Sequence, residues 1–200
     1  KNLWKKKFFS KKKINPKIPE TWQLAFLPIS SQEGQDYIAE MNYCVEFAIA
    51  NRQYMMALIK RGILRILPKT KFTDFINIAH NYAAKETHFG QEVWVHRKGA
   101  TRALKNELGI IPGSQGTHSY IVKGLGNPES FMSCSHGAGR KMGRNQARKQ
   151  LNLEEEKKKL DDKQILHTIY QVKDLDEASG AYKDIESVMK NQQNLIEIVE

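Results

Sequence analysis

The chain has 200 residues, 40% of them apolar and 27% charged, with a formal net charge of +10. That suits a globular domain with its own core, and no apolar run is long enough for a membrane span. Two cysteines, Cys44 and Cys134, are too few for a disulfide framework, so a reducing cytoplasm is the expected compartment. The charge is uneven: residues 1–13 carry +7, 14–68 carry zero, 69–150 carry +8 and 151–200 carry −5.

Residues 1–20 read as a basic irregular leader, interrupted by Pro16 and Pro19. Its lysines suit a solvated terminus, and Trp4, Phe8 and Phe9 among them could stack on nucleic acid. Ser30 and Glu33 have capping-box spacing. A helix is expected from about Asp36 to Arg61, ended by Gly62, with apolar positions that suit burial. Cys44 within it is expected in the core.

From Phe72 to Leu153 short β-branched runs alternate with glycine. Strands are expected at Glu92–Val95, Ser119–Val122 and Ser130–Cys134. Glu154–Lys159 reads as a solvated helix face, and Asp184 as the cap of a last helix reaching the chain end. The expected fold class is α+β, with short strands and Gly-rich loops.

Five of the six histidines, His80, His88, His96, His118 and His136, lie in the second basic block; His167 stands apart. Histidine is both a metal ligand and a nucleophile. Around His136 the sequence is Ser-His-Gly-Ala-Gly-Arg. Gly137 and Gly139 leave the backbone open to phosphate oxygens. Arg140 and Arg144 would share a face if a helix started there, making a phosphate site. Pro112-Gly-Ser-Gln-Gly-Thr-His-Ser119 is a second small-residue loop, and the two together suit a nucleotide. No Walker-type loop and no H-E-x-x-H occurs, and the Gly137-x-Gly139 pair lacks the setting of a dinucleotide fingerprint.

Several segments, in order, resemble the RtcB RNA-ligase family. They are Trp22-Gln-Leu-Ala-Phe-Leu-Pro-Ile29, Glu33-Gly-Gln-Asp-Tyr37, Ala50-Asn-Arg-Gln53, His80-Asn-Tyr82 and Glu86-Thr-His-Phe-Gly90. Arg97-Lys-Gly-Ala100, Ile111-Pro-Gly-Ser114, Ser133-Cys-Ser-His-Gly-Ala-Gly-Arg140 and Ala181-Tyr-Lys-Asp-Ile185 continue the series. The resemblance runs from about Thr21 to the end, so residues 21–200 are expected to be the C-terminal portion of one ligase domain.

The resemblance implies an enzyme that joins an RNA 3′-phosphate or 2′,3′-cyclic phosphate to a 5′-hydroxyl, using GTP and manganese, in tRNA splicing or RNA repair. By position, His136 matches the histidine that becomes guanylylated. His80 matches a manganese ligand and Asn81 a GMP contact. Pro112, Gly113, Ser114, Gln115 and Ser119 match GMP-binding loops, as do His136, Gly137, Ala138 and Gly139. Tyr182 matches the wall of the guanine pocket, and Arg140 and Arg144 match arginines near phosphate-like anions. An archease-type activating protein is an implied partner.

Departures are Gln115 where the family more often carries Met, and Gly143 where it often carries Ser. The family's Asp-x-Gly-Cys-Gly-Met and Gly-Gly-Gly-Asn-His segments, which supply most metal ligands, do not occur. Nor does its final short strand with a terminal lysine. The alternative reading is an inactive remnant that binds RNA or GMP.

Overall fold

The computed structural model describes residues 27–73 and 75–199; the basic leader and its aromatics lie outside them. The described residues are mixed α and β, as expected. They fall into two units, divided at Tyr43 and Cys44 within one helix.

In the first unit Pro28–Ser31 turns into helix α1 (Gln32–Ile66). Ser31 forms the cap, rather than the expected Ser30. Its Oγ accepts from Gly34 N at 3.0 Å and donates to Pro28 O at 2.8 Å. A Cβ on Gly34 would lie 2.2 Å from Pro28 O, so this turn requires glycine.

The second unit begins inside α1, which continues through Gly62 and stops at Ile66, just before Leu67 and Pro68. A helical glycine costs only about 1 kcal/mol. Proline bars the α conformation at the residue before it and ends the helix outright. The expected burial is corrected too. Phe47, Tyr54, Met55, Leu58 and Ile59 are exposed, and so is Cys44. The apolar spacing is that of a packed helix, but the described residues supply nothing to cover that face.

Strands β1 (Asn81–His88) and β2 (Gln91–Lys98) form an antiparallel hairpin. Phe89 and Gly90 join them, with φ of 51° and 75°. Two positive φ values match the type I′ turn that follows the natural strand twist. Gly99, at φ 80°, redirects the chain into β3 (Ala100–Arg102), which pairs with β6 (Ser133–Ser135). Strands β4 (Leu108–Ile111), β5 (Tyr120–Gly124) and β7 (Ile196–Ile198) form a three-stranded antiparallel sheet with β5 central.

Helices α2 (Arg144–Gln150), α3 (Leu153–Asp161) and α4 (Ile185–Lys190) complete the unit. Asp184 caps α4, accepting from Ser187 N at 3.0 Å. This helix does not reach the chain end: a turn follows it, and then β7. The run Glu154–Lys159 is only partly solvated. Glu156 is buried and accepts from Gly180 N at 3.0 Å and Lys159 Nζ at 2.5 Å.

One core gathers Ala103, Ile111, Val122, Cys134, Ala138, Ile185, Met189 and Ile196. It fastens β4, β5, β6 and β7 to α4, so the segment leading to His136 is rooted in packed side chains. A second core, Leu160, Ile169, Leu175 and Ala178, lies under α3.

Candidate functional site

Two histidines far apart in sequence meet at the junction of the sheets. The rings of His80 and His136 lie edge to face, with centroids 5.5 Å apart. His80 immediately precedes β1, and His136 immediately follows β6. His136 N donates to Gly99 O at 3.4 Å, and a Cβ on Gly99 would sit 3.8 Å from His136 Nε2.

The proton affinity of His80 is lowered, first by burial, then by the neighbouring His136 and by the Arg52 cation. Its imidazole is therefore neutral near pH 7, with a lone pair to offer. Arg52 Nε donates to Asn77 Oδ1 at 2.6 Å, and Asn77 Nδ2 to Ile49 O at 3.2 Å. Those bonds tie α1 to the segment entering β1.

Asn81 opens β1, opposite Lys98 in register. Cross-strand partners share a face, so an exposed cation stands beside Asn81. The motif Arg97-Lys-Gly-Ala100 contained that residue without assigning it a place.

Two loops and one backbone segment frame His136. Pro112 O accepts from Ala138 N at 2.9 Å, and Lys183 N donates to Gly139 O at 2.9 Å. Within the Pro112–Ser119 loop, Ser119 Oγ accepts from Gly113 N at 3.3 Å. Thr117 Oγ1 accepts from Ser114 N at 2.6 Å. Ser114 and Ser119 thus close the loop on itself, and Gln115 is exposed at its tip. A Cβ on Gly137 would lie 3.0 Å from Pro112 O. Gly139, at φ 72°, has open space where a Cβ would project.

Tyr182 pairs with Arg140 through an isolated bridge, and the Arg140 guanidinium lies 4.9 Å from its ring centre. The Tyr182 hydroxyl donates to Glu177 Oε2 and accepts from Arg140 Nη1 at 3.1 Å. Burial first, and the Glu177 bond second, raise the proton affinity of this phenol.

The two arginines are not arranged as the sequence suggested. Helix α2 begins at Arg144, so Arg140 stands outside it. The Arg140 fork is engaged with Met142 O at 3.0 Å, Glu177 Oε1 at 3.3 Å and Asp176 O. Arg144 is more open. Its side chain is 69% exposed, with loose pairs to Asp176 at 3.9 Å and Glu177 at 3.4 Å. Arg144 remains available to an anion, whereas Arg140 would first have to release its partners.

Among the described residues, no group of three or more His, Cys, Asp or Glu side chains could hold a metal ion. Cys134 is buried, which raises its thiol proton affinity, and it lies 3.3 Å from Thr101 Oγ1. His80 by itself does not fit manganese, since a protein-held transition metal takes three or four ligands. A surface cavity of about 480 Å³ lies beside Gly116, Thr117 and His118, facing Asp184 and Glu186. It contains neither histidine of the pair, and its charged lining is Lys163 with Asp184 and Glu186.

A histidine pair, a glycine-bearing turn and a small-residue loop closed on itself thus lie on an α+β scaffold. Residues 3–200 match the family model described as "tRNA-splicing ligase RtcB", and the chain belongs to that family. It is 40% identical over 187 residues to the RNA-splicing ligase RtcB of Escherichia coli K12, covering 88% of this chain and 44% of that one. It is 37% identical over 203 residues to the tRNA-splicing ligase RtcB of Methanococcus maripaludis, covering 88% and 42%. The chain therefore spans less than half the length of these relatives.

Proposed function

We propose that this chain carries the nucleotidyl-transfer part of an RNA ligase, with His136 as nucleophile. An imidazole nitrogen of His136 attacks the α-phosphorus of GTP. A P–N bond forms as the P–O bond to pyrophosphate breaks, and pyrophosphate leaves. An RNA 3′-phosphate oxygen then attacks the same phosphorus, and the P–N bond breaks. The RNA end now carries GMP, and His136 is regenerated. A 5′-hydroxyl attacks the RNA phosphorus, GMP departs and a phosphodiester forms. A 2′,3′-cyclic end would first be opened by water.

The chain's own residues hold and orient. Pro112, Gly113, Ser114, Gln115 and Ser119 line one side of the nucleotide, and Gly137, Ala138 and Gly139 the other. Asn81 and Tyr182 flank it, with Tyr182 toward the base. Backbone N–H groups stabilise the charge gathering on phosphorus. Manganese, when bound, would neutralise phosphate charge. His80 would offer one ligand to it. Arg144 is the better placed of the two arginines for an RNA phosphate.

The single observation that supports this reading is the contact between the rings of His80 and His136, which brings the two histidines of the motifs together. The test is covalent labelling by GTP and manganese of a chimera with the remaining part of the Escherichia coli relative. The expected label is acid-labile and base-stable, as a P–N bond is, and His136→Ala abolishes it. A label kept in that variant would place the nucleophile elsewhere. The absence of a metal cluster among the described residues favours a second reading for the chain by itself, that of a segment binding RNA or GMP without turnover.

A further inference from the structure

A buried ion pair joins the hairpin that follows His80 to the segment that precedes His136. Arg97, on β2, is 2% exposed, and all five of its N–H groups are spent. Nη1 donates to Glu86 Oε1 at 2.5 Å and Nη2 to Glu86 Oε2 at 2.9 Å. The second N–H of Nη1 reaches Tyr82 OH at 3.4 Å, and that of Nη2 reaches Phe131 O at 3.0 Å. Nε donates to Ser133 Oγ at 3.0 Å. Glu86 is anchored in turn by the buried His88, whose Nε2 lies 2.9 Å from Glu86 Oε2.

These partners belong to two backbones besides that of Arg97. Tyr82 and Glu86 lie on β1, the strand that starts directly after His80. Phe131 lies on the turn that feeds β6, and Ser133 is the first residue of β6, the strand that leads to His136. That turn is strained. Phe131 and Met132 stand consecutively in the left-handed region, at φ 53° and 48°. Such a conformation persists in non-glycine residues only where the surroundings over-determine it. Here Arg97 holds Phe131 O and Ser133 Oγ, and the ring of Phe131 packs 5.0 Å from that of His88.

We propose that Arg97 is a positioning residue, setting the spacing and angle between His80 and His136 by clamping β1 to the turn before β6. The role rests on the reading of His136 as nucleophile. It calls for arginine in particular. A planar fork can grip a carboxylate with two bonds and still bridge a carbonyl and a hydroxyl. Lysine, with three donors on one atom, cannot span those partners.

The experiment compares the wild-type chain with Arg97→Lys by NMR. In wild type a cross-relaxation peak joins the ring protons of His80 and His136. In Arg97→Lys that peak is lost, while the amide pattern of the β4–β5–β7 sheet is kept. A peak of wild-type intensity in the folded variant would overturn the proposal. If Arg97→Lys fails to fold, Ser133→Ala decides: a weakened peak supports the clamp, and an unchanged one sinks it.

A second readout separates positioning from general damage. In the chimera, Arg97→Lys should slow single-turnover labelling of His136 by about 100-fold, as a displacement of about 1 Å can. The GTP concentration at half-maximal rate should stay unchanged, because no residue of the Pro112–Ser119 loop touches Arg97. A lower labelled fraction reacting at the wild-type rate would mean a merely structural role, and would refute the clamp. Failure of the wild-type chimera to label would sink the nucleophile reading itself. The ring–ring peak needs no GTP, and would still report on the clamp.

Discussion

Replacing Glu86 with glutamine tests the energetics of the buried pair. The side chains of Arg97 and Glu86 are 1% and 16% exposed, and the pair is bidentate. Glutamine keeps the shape but presents one acceptor and one donor to two guanidinium donors. One N–H then faces another, and the buried cation loses its counter-charge. Removing one partner of a buried pair costs about 3–5 kcal/mol, and the residual exposure of Glu86 points to about 3. In a protein of this size that lowers Tm by about 6–12 °C.

The pH dependence has a definite sign. Hydrogen bonding from Arg97 is the largest influence on the Glu86 carboxyl; burial opposes it, and the net result lies below the ordinary value of 4.5. A depressed folded value means that the unfolded chain takes up the proton more readily. The stabilisation is therefore complete above about 4.5 and is lost as pH falls through the folded value. Thermal melts followed by circular dichroism, on wild type and Glu86→Gln, should show a gap that is widest at neutral pH and narrows on acidification. A gap under about 2 °C at pH 7, or one that widens toward acid, would refute the reasoning.

Gly113→Ala should weaken GTP binding to the chimera by about 10-fold or more, because its Cβ would fall 2.1 Å from His118 O. Gly139→Ala meets no atom within 4 Å but carries φ 72°, so a stability loss of about 1–2 kcal/mol is expected in denaturant melts. His80→Ala in the chimera should weaken manganese binding by about 10-fold or more, measured by calorimetry; unchanged affinity would return His80 to an ordinary surface histidine. The chain by itself, supplied with GTP, manganese and RNA bearing 3′-phosphate and 5′-hydroxyl ends, should give no joined product. Joining would reveal a metal site that the described residues do not display.

What the sequence determined by itself was local chemistry. A glycine on each side of Ala138 marks a turn, and Asp184 caps α4, because such signals act within a few residues. The ordered motifs likewise sufficed to point to the family. The stop of α1 was misplaced because Gly62 only weakens a helix, whereas Pro68 ends it. Tertiary structure decided the rest, since contacts between distant segments leave no periodic trace. It brought His80 against His136. It turned Arg140 toward Glu177 and Tyr182 and left Arg144 open to solvent. It buried the Arg97–Glu86 pair, whose two residues look like any exposed charges when read along the chain. A guanidinium becomes a clamp only where packing excludes water and places an acceptor before each of its donors, and that is a property of the assembled strands.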